Sequence, residues 1–194
     1  MKKKVFTMIL AVLCAFSFAQ AATYSGGSGT PATPYLISSA ADLQTLSTTP
    51  ADWGQSFRLT TNVTVADLSP IGTSATPFSG TFDGNAKVVT HNVSAQRDWI
   101  TGLFGYNSGT ITNLTVNGTI AAVEPVPALG SGWLAGIVAI NMGTVSDSTY
   151  SGTINLDTNT SGDGTYNVYV GGIAAENTGT IIDSSFAGYI GGNV

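Results

Sequence analysis

GLFGYNSGTITNLTVNGTI, residues 102–120, decides the reading of this chain because it returns twice. Residues 136–154 read GIVAINMGTVSDSTYSGTI, and residues 172–190 read GIAAENTGTIIDSSFAGYI. The copies align without gaps on G-[LIV]-x-[GA]-x-N-x-G-T-[IV]-x-[ND]-x-x-x-x-G-x-I. Asn107, Asn141 and Asn177 stand 34 and then 36 residues apart. Self-similarity at a nearly fixed period of this size marks a stacked repeat.

Inside one copy the local chemistry points to strands. Gly109, Gly143 and Gly179 each precede Thr and a β-branched residue, so a turn opens a short strand. A helix would carry three or four glycines per copy, at roughly 1 kcal/mol each against alanine. The apolar residues of one copy are too few to close a core. Stacking the copies buries Ile111 on Val145 on Ile181, Val116 on Tyr150 on Phe186, and Ile120 on Ile154 on Ile190. The three asparagines predict either an amide ladder along the stack or a repeated left-handed turn.

GLFGYNSGTI (102–111) closely resembles the repeat of the bacterial GLUG-motif proteins, G-L-[FV]-G-x-N-x-G-x-I. Copies two and three depart from it: Ala139 and Ala175 replace the second Gly, and Val138 and Ala174 replace the Phe. GSGTPATPYLISSAADLQTLS, within residues 27–47, and PIGTSATPFSGTFDGN (70–85) resemble the segments that commonly precede such repeats. The resemblance implies an all-β fold, a right-handed parallel β-helix or solenoid, on secreted or surface-attached adhesin-like proteins. It implies no particular chemistry, and no functional residues carry over with it.

The chain is expected to divide as follows. Residues 1–21 read as a signal peptide, with Lys2-Lys3-Lys4, an apolar run over Val5–Phe18 and an Ala19-Gln20-Ala21 cleavage site. Residues 22–34 are a lead-in rich in Gly, Ser, Thr and Pro. Residues 35–99 hold an N-terminal cap and a first coil, and residues 100–194 hold the repeats. Ser39–Leu46 is the helix candidate, with Ser39 as N-cap, Asp42 at the capping-box position, and Leu43 and Leu46 on one apolar side. Such a short helix suits a cap over the first strand edge. Asp83-Gly84 is expected to be a turn between two strands. With no cap visible after residue 190, the expectation is a repeat array that continues past Val194 or is truncated, and a chain able to self-associate end to end.

Composition narrows the function classes. Charged residues make up 9% of the chain, and 43% is hydrophobic, which argues against disorder. Removing the signal removes Cys14, the only cysteine, and three of the six basic residues. Net charge then moves from −5 to −8, leaving Arg58, Lys87 and Arg97 against eleven acids. Such a surface excludes nucleic acid as a partner, and no membrane span is expected after cleavage.

Catalytic constellations are sparse. His91 is the single histidine, which excludes a two-histidine zinc motif within this chain. It reads as a surface or strand-end residue rather than a general base. Asp147 and Asp183 hold one equivalent position, with Asn113 in the first copy. They read as repeated turn residues, the alternative being a stacked carboxylate pair of the kind glycan-cleaving enzymes use. Asp157, Asn159, Ser161 and Asp163 alternate oxygen side chains, with Gly162 in sixth place, as in the first half of a calcium loop. Val168 stands where that loop needs a bidentate acid. The insert therefore reads as an ordinary polar turn former, or at most as a calcium site of about 10⁻⁴ to 10⁻³ M. The function expected is a secreted or cell-surface, non-enzymatic adhesion module for an extracellular protein or glycan. The alternatives are a carbohydrate-binding or polysaccharide-degrading β-helix, and a structural spacer in a larger surface protein.

Overall fold

The structure is a computed structural model that describes residues 23–93, 100–123, 131–157 and 167–193. Its N-terminal part comprises β1 (Tyr35–Ile37), α1 (Ala40–Thr48), a 3₁₀ turn at Pro50–Asp52, β2 (Ser56–Leu59), β3 (Val63–Ala66) and β4 (Thr81–Asn92). The first copy supplies β5 (Ile100–Thr101), β6 (Phe104–Asn107), β7 (Thr110–Asn117) and β8 (Thr119–Val123). The second supplies β9 (Ser131–Ala135), β10 (Val138–Asn141), β11 (Thr144–Ser146), β12 (Thr149–Tyr150) and β13 (Thr153–Asp157). The third supplies β14 (Asn167–Gly171), β15 (Ala174–Asn177), β16 (Thr180–Ile182), β17 (Ser185–Phe186) and β18 (Tyr189–Asn193).

The strand pairs are parallel, and each copy contributes to all four sheets, the second and third copies sending two strands each to the long one. The long sheet runs β1-β2-β4-β7-β11-β16, with β3 beside β4 and β12 between β7 and β17. The others run β6-β10-β15, β8-β13-β18 and β5-β9-β14. The expected columns are in register: Ile111, Val145 and Ile181; Val116, Tyr150 and Phe186; Ile120, Ile154 and Ile190. Phe82, Val89 and Val93 continue these columns into the N-terminal region. Ile111, Val116, Val145 and Ile154 are fully buried, whereas Ile181, Phe186 and Ile190 of the third copy are exposed. Each buried Val or Ile contributes about 1.5–3 kcal/mol.

Polar ladders run alongside these columns. Asn107 Nδ2 donates to Asn141 Oδ1 at 2.8 Å, and Asn141 Nδ2 to Asn177 Oδ1 at 2.7 Å. The left-handed residues are instead Asn113, Asp147 and Asp183, at φ 52°, 49° and 49°. Of the two readings of the repeated asparagine, the ladder is the one observed. A second ladder uses serines: Leu114 N–H donates to Ser148 Oγ, and Ser148 N–H to Ser184 Oγ, both at 3.2 Å. Buried amides and hydroxyls thus find partners in the neighbouring copy, which burial demands.

Interior volume is held nearly constant by exchange between two positions. Phe104 is in register with Val138 and then Ala174, a position that shrinks along the stack. The Val116 position grows to Tyr150 and Phe186. A Cβ on Gly136 or Gly172 would lie 2.1 or 2.3 Å from the ring of Tyr150 or Phe186. The departures from the repeat pattern at 138 and 174 therefore make room where the aromatic has moved to the other wall.

The N-terminal edge is covered. Ser39 caps α1 by accepting from the Asp42 N–H at 3.2 Å, and Leu43 and Leu46 are fully buried. Asp42 Oδ2 accepts from the Ser38 N–H at 2.9 Å rather than from the N-cap's own N–H, and also from the Ser25 and Ser39 hydroxyls. Burial raises the Asp42 pKa, but these hydrogen bonds outweigh it and leave it below the usual value. Trp53 Nε1 donates to the Leu46 carbonyl at 2.8 Å and ties down the end of the helix. α1 packs on β1 and on β3, whose other side is held by β4. The lead-in covers β1 through Ser25 N–H to Leu36 O and Leu36 N–H to Gly26 O. An uncovered edge would recruit other strands.

Asp83-Gly84 is not a turn. Both residues lie within β4, and the bend comes at Asn85 and Ala86, at φ 50° and 55°. There the register steps from Asp83 opposite Thr112 to Lys87 opposite Leu114. An Asp-Gly pair signals a two-residue hairpin, but in a parallel stack the strand continues and only bulges.

Candidate functional site

One corner of the stack carries exposed side chains of a kind that binds ligands. Ile100, Trp133 and Tyr169 are in register across β5, β9 and β14, and Tyr106, Ile140 and Glu176 across β6, β10 and β15. Strand alternation turns Leu134 into the core and leaves Trp133 half-buried, while Tyr169 is 45% exposed. The Trp133 and Tyr169 rings stack at 17° with centroids 5.6 Å apart. Trp133 Nε1 donates to Glu176 Oε2 at 2.7 Å, across two sheets and 43 residues. That bond brings the outer faces of the two sheets together at the corner. Glu176 is exposed, and a carboxylate with one oxygen engaged keeps further acceptor capacity.

The sequence reading did not find this corner, although a signal was present. Trp133 and Tyr169 each stand three residues before the Gly that opens a repeat, as does Trp99. The position lies just outside the aligned 19 residues. In the structure Trp133 and Tyr169 belong to strands that pair in register.

The residues singled out from sequence fare differently. His91 is a correction: it is 2% exposed, not at the surface, and neither ring nitrogen has a hydrogen-bond partner. The bulge at Asn85 and Ala86 resets the alternation of β4, so Val89, His91 and Val93 face inward together. Burial pushes the imidazole down to about 4, against an upward pull from Asp67. Asp147 and Asp183 are exposed, left-handed turn residues. Asp157 ends β13, in register with Val123 and Asn193. Asn159, Ser161 and Asp163 lie outside the described residues, as does the signal segment.

No family model matches the chain, and no solved structure matches it. Two curated proteins are similar to it. A "Putative Gly-rich membrane protein" of Evansella cellulosilytica is 30% identical over 133 residues, which cover 63% of this chain and 15% of that protein. Halomucin of Haloquadratum walsbyi is 35% identical over 106 residues, covering 49% of this chain and 1% of that protein. The chain therefore spans a small part of each relative's length.

Proposed function

We propose that this chain is an exported, non-catalytic binding module displayed at or beyond the cell surface, built as a right-handed parallel β-helix of GLUG type. The observation that carries the reading is the register itself. Copy after copy presents the same outward positions on one rigid stack, which is how repeat proteins make extended binding surfaces. The names of the relatives, one a membrane protein and one a mucin by its name, favour a surface or secreted location. The apolar N-terminal run with its Ala19-Gln20-Ala21 site supports export. The non-catalytic part rests on two features. The single imidazole is buried away from any hydrogen-bonding partner, and the repeated aspartates serve left-handed turns.

Fluorescently labelled chain incubated with intact bacterial and host cells tests the binding role. Saturable binding that unlabelled chain displaces is the expected result, and absence of binding to every surface overturns the proposal. Turnover of a polysaccharide that Asp147→Asn abolishes would overturn the non-catalytic part. A crystal structure with left-handed coils would overturn the handedness.

A further inference from the structure

We propose that the corner formed by Trp133, Tyr169 and Glu176 binds a neutral glycan, with pyranose rings against the open parts of the two aromatic faces and a sugar hydroxyl on the Glu176 carboxylate. This rests on the surface-module reading and gives that surface a ligand class.

The first argument is the shape of the pair. Stacked carbon atoms touch at about 3.5–4.0 Å, yet the two centroids are 5.6 Å apart with nearly parallel rings. The rings are therefore offset like shingles, and part of a face stays uncovered. An aromatic face carries partial negative charge, and a pyranose presents a flank of C–H groups with partial positive charge. A sugar is apolar on that flank and rings it with hydroxyls. The corner matches both features, with flat aromatic surface and an adjacent carboxylate acceptor.

The second argument is preorganisation. The Trp133 indole is fixed by its bond to Glu176 before any ligand arrives. Both aromatics sit on paired strands rather than on a loop. Rigid Trp and Tyr side chains give contact area at little entropy cost. The stacking direction also matters. Successive strands lie about 4.8 Å apart, so a glycan chain laid along the stack meets the rings of the second and third copies in succession, with Ile100 at the equivalent place in the first.

The third argument concerns charge. With a net charge of −8 after signal removal and Glu176 at the corner itself, a polyanionic glycan or nucleic acid is repelled. An apolar peptide side chain would seek a closed pocket. The corner instead offers an open shelf with an acceptor beside it.

The test is titration of the full exported chain with cellohexaose, N-acetylchitohexaose and mannohexaose, with polygalacturonate as the anionic control. Calorimetry and tryptophan fluorescence supply the readouts. At least one neutral hexasaccharide should bind saturably and quench fluorescence, while polygalacturonate should not. Trp133→Ala and Tyr169→Ala should each weaken binding about tenfold. Glu176→Ala should weaken it too, and Tyr189→Ala, an exposed aromatic on another sheet, should leave it unchanged. Tyr169→Leu keeps an apolar strand residue, so it reports the loss of the ring alone should Trp133→Ala fail to fold. The glycan site is overturned if no neutral hexasaccharide binds up to about 10 mM, or if binding survives Tyr169→Leu and Glu176→Ala. It is equally overturned if these variants lose a protease-sensitive protein ligand instead. Cell binding that persists in variants without glycan binding leaves the surface-module reading standing. Loss of both in the wild-type chain removes that reading as well.

Discussion

The layers before residue 94 and the repeats after residue 100 share one sheet but hold together by different means. The first part is filled with bulk. Tyr35, Phe57, Phe78 and Phe104 pack in sequence at centroid distances of 5.6, 6.1 and 5.1 Å, and Phe82 meets Phe104 at 5.4 Å. The second part is filled by repetition, with amide and hydroxyl ladders linking small residues from copy to copy. The two schemes meet at one point, where Phe78 pairs with Asn107 and the amide ladder gives way to an aromatic ring. A parallel stack therefore tolerates irregular layers where large rings absorb the mismatch. Where it relies on small residues, it demands near-identity between neighbours.

The most severe way to break the repeat side is a single methyl group. A Cβ on Gly143 would lie 2.2 Å from the Gly109 carbonyl, whereas one on Gly54 meets only Ser79 Oγ at 3.6 Å. Gly143→Ala should abolish the cooperative thermal transition followed by far-UV circular dichroism, and Gly54→Ala should leave it in place. A folded Gly143→Ala protein with an unchanged melt would mean that the repeat layers do not demand this close approach.

Next in size is the junction. Phe78→Asn extends the amide column by one layer but discards the contacts with Phe57 and Phe104. We expect a net loss of about 3–5 kcal/mol in urea denaturation. A neutral result would mean that the ladder can replace the aromatic spine.

The third test probes the N-terminal layers by pH. His91 is held at about 4 in the folded chain against an ordinary 6.5, so between these values the unfolded chain binds a proton that the folded chain refuses. Stability is intact above pH 6.5 and falls as the pH drops toward 4, by about 3 kcal/mol at 1.36 kcal/mol per pKa unit. His91→Leu should flatten the dependence in this window and raise the melting temperature more at pH 5 than at pH 7.5. The loss linked to Asp42, whose pKa is lowered, comes at more acid pH and should persist in the variant.

The smallest effect sharpens the picture within the repeats. Asn141 is fully buried and holds the amides on either side of it. Asn141→Ala should cost about 1–3 kcal/mol by leaving Asn107 and Asn177 each short of a partner. Asn177→Ala, on an exposed layer, should cost less. Equal costs would argue that the ladder does not depend on burial.

Much of the repeat region was legible because three copies reveal which positions must stack. The repeat alone pairs Ile111, Val145 and Ile181, and it aligns Asn107, Asn141 and Asn177 while leaving a ladder and a left-handed turn both open. The helix signals at Ser39, Leu43 and Leu46 also corresponded to physical contacts. The N-terminal layers were harder to read, since Phe78 stands where the copies have Asn and the spacing varies. His91 was misplaced because it alternates with Val89 and Val93, which leaves open which side of the strand faces the core. The two left-handed residues at Asn85 and Ala86 set that side, and neither is a glycine that would announce the bulge. The Trp133 and Tyr169 corner was missed because outward positions need not repeat to keep the core, so the two rings differ in type and fell beyond the aligned window.

The glycine column also bears on how such a chain can vary over generations. Gly80, Gly109, Gly143 and Gly179 each abut a backbone carbonyl of the preceding layer, at Gln55, Gly80, Gly109 and Gly143 respectively. A one-residue insertion within a copy would slide a side chain onto such a carbonyl and would fail at once. Residues 102–123 and 136–157 accordingly keep one length, while the two-residue difference in period falls between β13 and β14. Inheritable length change is thus channelled into two permitted outcomes: a longer or shorter insert at the β8–β9 and β13–β14 joints, or the gain and loss of a whole copy.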